Sequence, residues 1–139
     1  MEMTNLDWCD IKHFKPSEFD HPNKMNPYLI RRLDQFREMI GKPIIIHSDY
    51  RPDDPGYHGK GDAVDIHAKD INLIDLYLLA EKSGLFSGIG VYPGWNNPGL
   101  HLDIRSGQPA RWGTWQKSKP YNYVALNSNF MDELCFTFL

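Results

Sequence analysis

The sequence predicts an α+β domain in which helices cover one face of a small, largely antiparallel sheet and leave the other face free for a metal site. Two helical stripes and four short strand runs carry this reading. Leu29, Leu33, Phe36 and Ile40 recur at helical spacing, and Ile71, Ile74 and Leu78 make a second apolar face. Between and after them lie an isoleucine run at 44–46, an alternating stretch from Ala63 to Ala68, a Gly/apolar alternation at 88–92 and a last strand from Leu100 to Arg105. With 139 residues, 41% hydrophobic and 24% charged, the chain suits one domain spanning 1–139 with a modest core.

Residues 1–24 show little periodicity, although Ser17 is placed to cap a short turn among His13, Phe14 and Phe19. Asn26 followed by Pro27 is a helix start, an N-cap residue and then proline at the first helical position. That helix should run to Ile40, with Arg31, Asp34, Arg37 and Glu38 off the core stripe, and Gly41 and Pro43 should end it. The isoleucine strand stops at the charged turn Asp49 to Pro55. Asp70 is expected to cap the second helix and Gly84 to close it. GWNNPG then turns the chain into the last strand. Beyond Arg105 the pattern fades. Trp112, Trp115, Tyr121 and Tyr123 suggest a covering segment over 114–139 with one more edge strand at Tyr121 to Leu126. The final FMDELCFTFL is too apolar for a free tail and should dock on the domain or on a second copy.

Composition excludes several classes. A net charge of −3 with scattered lysines and arginines leaves no footprint for a phosphate backbone, so no nucleic acid is expected as a partner. No run reaches the roughly eighteen apolar residues of a membrane span, so no membrane insertion is expected. The acidic start MEMTNLDWCD is unlike a signal peptide, which points to a chain that is cytoplasmic when made. The two cysteines, Cys9 and Cys135, belong to no C-x-x-C pair and read as unpaired thiols, with a bridge between them the alternative in an oxidising compartment.

The stretch HSDYRPDDPGYHGKGDAVDIH, His47 to His67, is where chemistry concentrates. His58 lies in a turn-rich loop entering the strand that carries Asp65, and an imidazole with a carboxylate is a ligand set that zinc accepts. The best third ligand is His101. In GLHLDIR, Leu100, Leu102 and Ile104 point to one face and His101, Asp103 and Arg105 to the other. Any one of the six histidines read alone is a surface or satisfied core residue; the ordered set is what points to a metal.

HGKGDAVD, His58 to Asp65, resembles the H-x-x-G-x-A-x-D signature of the zinc D-alanyl-D-alanine carboxypeptidases and L-alanyl-D-glutamate endopeptidases, which share a fold with the hedgehog signalling domain. SDYR, Ser48 to Arg51, is similar to that family's S-G-Y-R, and HLDIR to its later H-x-D segment. HFKPSEF near the start is similar to the opening of a phage and prophage branch. The likeness spans residues 13 to 113, and three motifs in order are more specific than any one. It implies His58, Asp65 and His101 as zinc ligands with an open fourth position, on a zinc peptidase acting on D-amino-acid bonds in peptidoglycan peptides. Such a protein would reach the cell wall after release by another protein.

Other residues keep open roles. Arg51 can clamp a substrate carboxylate with its planar fork, or be an ordinary turn arginine beside Asp53 and Asp54. Ser48 can bond the substrate or begin the turn. Gly88 and Gly90 make room for an extended peptide or mark a bulge. Many members of that family carry an acidic residue three positions before the second histidine, where this chain has Pro98. Asp103 then becomes the candidate proton acceptor, or it orients a ligating histidine. His67, sharing a strand face with Asp65, is a better proton-transfer candidate than His47. Two functions of different class follow: a zinc peptidase, or a zinc-stabilised binding or assembly module on the same fold.

Overall fold

The computed structural model describes residues 1–139 as an α+β fold of four α-helices and one five-stranded sheet. The first helix, α1 (Asn5–Cys9), is one turn held by a capping box in which Thr4 and Asp7 satisfy each other's backbone N–H. The aperiodic N-terminal segment hides it from a pattern reading. A 3-10 turn at Pro16–Glu18 follows, and it is closed by Glu18 accepting from the Lys15 N–H rather than by Ser17.

Helix α2 (Pro27–Ile40) begins on Asn26, whose side chain accepts from the Tyr28 N–H, and ends on Gly41 in the left-handed region. Such a cap contributes about 1 kcal/mol. Leu29, Ile30, Leu33 and Phe36 are fully buried. Asp34 departs from expectation: it is buried because its carboxylate accepts the N–H groups of Lys12 (3.0 Å) and His13 (2.7 Å), which ties the N-terminal segment to α2.

Strands β1 (Ile44–Ser48) and β2 (Ala63–Ala68) fall where the sequence places them. Helix α3 (Leu73–Ser83) is capped by Asn72, not by Asp70. Asp70 instead takes a positive φ of 61° two residues before that cap. Leu78 is half exposed, so the buried face of α3 is Leu73, Ile74, Leu76, Tyr77 and Ala80.

Strands β3 (Gly88–Tyr92), β4 (Gly99–Asp103) and β5 (Ala110–Gly113) complete a sheet of order β1-β2-β4-β3-β5. Every pairing is antiparallel except β3 with β5, so the sheet is mixed at one edge. The edge strand expected at Tyr121 to Leu126 is absent, and only Val124 bridges to Gly113. The edge belongs to β5 because Gly90 leaves a gap that the Trp112 ring fills; a Cβ on Gly90 would stand 2.6 Å from that ring.

Helix α4 (Ser128–Phe138) docks on its own domain through Phe130 and Leu134. The Phe130 ring occupies the space beside Gly113 that any side chain there would need. The core joins α2, α3 and α4 to one face of the sheet, through Val64, Ile66, Ile89, Val91, Leu100 and Leu102. No helix is long and apolar enough to cross a membrane, and Cys9 and Cys135 are both free thiols.

Candidate metal centre

The strand registers set one row of residues across the sheet. Ser48, Asp65, His101, Gly90 and Trp112 stand opposite one another on β1, β2, β4, β3 and β5. Side chains alternate between faces, so this row projects away from the core that Val64, Leu102 and Ile89 enter. Asp65 and His101 thereby meet at the middle of the sheet.

His58 arrives from the loop before β2. Its 3-10 turn, Tyr57–Lys60, ends on Gly61 at φ 74°, where a Cβ would also lie 2.2 Å from the Lys24 carbonyl oxygen. Gly59 is equally constrained, with the Asp54 carbonyl oxygen 1.9 Å from where a Cβ would sit. Those two contacts are the physical reason for glycines in HGKGD. The Arg51 N–H donates to the His58 carbonyl (3.0 Å), and the ring Nδ1 donates to the Asp49 carbonyl (2.7 Å), so the imidazole is held at both ends. Asp49 is itself buried and accepts from the backbone N–H of His21 (2.7 Å) and its ring Nδ1 (3.0 Å).

At the centre, His58 Nε2 and His101 Nδ1 each stand 3.2 Å from one oxygen of Asp65. The second Asp65 oxygen accepts from Arg51 Nη2 at 2.6 Å. On its far side, His101 Nε2 donates to Asp103 (2.7 Å), and Asp103 accepts from Arg105 Nη2 (2.6 Å), Nε and backbone N–H. One ligand atom from each of His58, Asp65 and His101 lies within 4.8 Å of the others, and all three residues are buried.

Electrostatics follow this wiring. Burial pushes the Asp65 carboxyl up, but His101 and His58, which donate to it when a proton occupies the near nitrogen, outweigh burial and hold the group below the ordinary carboxylate range. Asp103 is likewise held low against its burial by His101 and Arg105. His101 is raised, since the Asp103 and Asp65 carboxylates overcome the burial that disfavours its charge.

These residues can hold a metal ion. The donor set fits one: the far nitrogen of each imidazole is committed as an N–H donor, to a carbonyl at His58 and to a carboxylate at His101, which directs the near lone pair at the same carboxylate oxygen. Two lone pairs and a carboxylate converging in a buried site repel one another unless a proton or cation lies among them.

The centre opens on one side into a cavity of about 570 Å³ that Arg51, Asp54, Tyr57, Trp95, Arg105 and Trp112 help to line. Trp112 donates its indole N–H to the Tyr92 hydroxyl (3.0 Å), and the Arg105 guanidinium lies over Tyr57 (4.5 Å) and Trp112 (5.0 Å). Arg51 and Ser48, expected at the substrate, are both present: Arg51 Nε donates to Ser48 Oγ (2.9 Å). Ser48 thus orients Arg51.

The two expected proton carriers stand elsewhere. Asp103 is fully buried behind His101 and does not border the cavity at the centre, because Gly88 leaves it a slot in which a Cβ would lie 2.1 Å from its carboxylate. His67 turns its Nδ1 to His47 Nε2 and borders neither cavity beside the centre. Pro98, in the β3–β4 loop, also lies outside both. Gly88 and Gly90 sit in regular register, so neither is a bulge, and the room they make is taken by Asp103 and Trp112.

Sequence reasoning missed Asp49, Asp54 and the aromatic wall. Asp49 and Asp54 lie in a turn whose charges read as solvated; nothing local shows that the partner of Asp49 comes from residue 21, whereas Arg51 beside Asp54 was the signal that could have found the second. Scans against protein-family models, curated proteins and solved structures find no match to this chain.

Proposed function

We propose that the chain is a zinc-dependent peptidase that cleaves bonds involving D-amino acids in peptidoglycan stem peptides or crosslinks. The observation that carries this reading is a three-residue ligand set, each histidine anchored at its far nitrogen, facing an open cavity of about 570 Å³. Three protein ligands with an open side are the arrangement of catalytic rather than structural zinc, whose four-ligand shell is closed. The order of SDYR, HGKGDAVD and HLDIR, with its likeness to the zinc D-alanyl peptidases and the hedgehog fold, supports the choice of metal and substrate.

Zinc bound by His58, Asp65 and His101 supplies Lewis acidity, lowering the pKa of a water and polarising a peptide carbonyl. The protein's own groups do the rest. Asp103 and the Asp49 carbonyl keep both imidazoles in the ligating tautomer. Arg51 holds Asp65 through Nη2 and Ser48 through Nε, which leaves Nη1, 3.6 Å from Asp54, as the arm that can pair a substrate carboxylate at the cavity wall. Tyr57, Trp95 and Trp112 wall the space and exclude water.

With Asp103 turned away, Asp54 is the one carboxylate besides Asp65 on the cavity wall, and it takes the proton acceptor's place in this reading. Its Oδ1 accepts from the Gly56 N–H (2.6 Å) and its Oδ2 lies 3.6 Å from Arg51 Nη1. Asp54→Asn preserves the Gly56 bond. It should keep zinc and lower turnover by about 10² to 10⁴-fold, as removal of an acid–base group does. Steady-state kinetics on muropeptides beside elemental analysis measures both.

Two observations favour a second reading, a zinc-stabilised binding module without catalysis: proline stands at position 98, and Asp103 is wholly buried. Digestion of purified sacculi by zinc-loaded protein decides between them. Release of soluble peptides that stops on chelation and returns with zinc supports the peptidase; intact sacculi with one zinc bound per chain support the module.

A further inference from the structure

A second cavity of about 370 Å³ adjoins the first, and Arg51, Asp65, Trp95 and Tyr121 border both. Asp65 therefore stands where the two cavities meet and form a trough, with His58 and His101 on the side of the larger one. Either arm alone has the size of a small-molecule site, roughly 300–1,000 Å³. Their characters differ. The larger arm is walled by Tyr57, Tyr92 and Trp112, whereas the smaller is polar, with His47, Asn96 and Asn97.

One segment follows the whole trough. Residues 114–127 cross from the end of β5 to α4 without regular structure, joined to the β3–β4 loop where the Trp95 indole N–H donates to the Tyr121 hydroxyl (3.3 Å). This strap carries two lysines, Lys117 beside the polar arm and Lys119 beside the aromatic one. Both are exposed, and neither forms an ion pair. Along the trough Arg51, Arg105, Lys117 and Lys119 outnumber the carboxylates of Asp54, Asp65 and the Asp103 that pairs Arg105, and the two lysines are the unpaired cations, although the chain as a whole carries −3. A cationic groove in an acidic protein selects for an anionic ligand and raises its local concentration.

From the two-armed trough and its paired strap lysines we infer that the substrate runs through the site and continues on both sides of the cleaved bond, with an anionic group on each side, met by Lys117 on one and Lys119 on the other. An enzyme trimming single residues needs a wall and a terminal-carboxylate pocket on one side of its metal; here cavity space lies on both sides of Asp65. The inference rests on the peptidase reading and specifies it as endo-cleavage of an anionic peptide.

The test is digestion of purified sacculi by the zinc-loaded full chain, with products identified by mass spectrometry, alongside kinetics of Lys117→Gln and Lys119→Gln. Fragments of two or more residues from each side of the cut, with KM raised about three- to tenfold in each variant and kcat unchanged, are expected, and added salt should raise the wild-type KM toward the variants'. Release of free single amino acids alone overturns the inference and leaves the peptidase reading standing. Multi-residue fragments with unaltered KM in both variants overturn the anionic contacts. No product at all overturns the peptidase reading and the inference with it.

Discussion

Two histidine pairs lie on this domain, and their difference shows what makes a ligand site. His58 and His101 each spend the far nitrogen on a fixed acceptor and aim the near one at Asp65. His47 and His67 hydrogen-bond through their rings only to each other. His47 occupies the irregular step between Ile46 and Ser48, where the β1–β2 register shifts, and neither ring makes another protein hydrogen bond. Burial lowers the pKa of both, and the neighbouring imidazole adds to the effect at His47, whereas His101 is raised by its carboxylates. Burial alone makes an imidazole neutral. Anchoring the far nitrogen and placing a carboxylate between the near ones is what readies the first pair for a cation.

The largest expected effect breaks that contrast outright. Asp65→Ala removes the shared carboxylate and should lower metal affinity by more than the roughly 10- to 100-fold of an outer-sphere change, while His47→Ala and His67→Ala keep one metal per chain. Equilibrium dialysis with elemental analysis reads all three. Metal loss in either His47 or His67 variant, with retention in Asp65→Ala, reverses the assignment.

A smaller effect sharpens it. Asp103→Asn should weaken zinc binding by about 10- to 100-fold, with activity recovered in excess zinc, because the change loosens His101 without removing it. Gly88→Ala should act in the same direction by pushing a methyl against the Asp103 carboxylate. A fall in turnover at unchanged zinc affinity would instead make Asp103 the proton acceptor.

The sequence made much of this fold legible because its signals were local. Asn26-Pro27 and Gly41 bounded α2, Ala63 to Ala68 bounded β2, and alternation in GLHLDIR put His101 on the polar face. What stayed hidden was non-local. Asp34 looks like a surface residue until Lys12 and His13 return to it, and β5 is a four-residue strand whose place is set by the missing side chain of Gly90. Asp103 could be put on the face of His101 from spacing, but which way its carboxylate turned depended on the slot beside Gly88, its partner on the neighbouring strand and fifteen residues earlier in the chain.

The mildest effect concerns pH without metal. Asp65 and Asp103 are depressed, so their stabilisation is complete above the unfolded value near 3.8 and fades as pH falls below it. His101 is raised, so its contribution is complete below 6.5 and fades as pH climbs through its folded value. Metal-free protein should therefore melt highest between pH 3.8 and 6.5 and lower under alkaline conditions. Zinc affinity should run the opposite way, rising with pH as proton competition at the histidines ends. Thermal melts with and without chelator across pH 4 to 9 show both trends; a metal-free melting point that climbs steadily past pH 8 contradicts the wiring around His101.

Diffraction from zinc-grown crystals at the zinc absorption edge bears most directly on the metal centre. The expected result is a single anomalous peak within about 2.0–2.2 Å of His58 Nε2, His101 Nδ1 and an Asp65 oxygen. A peak between His47 and His67, or none at all, contradicts the account.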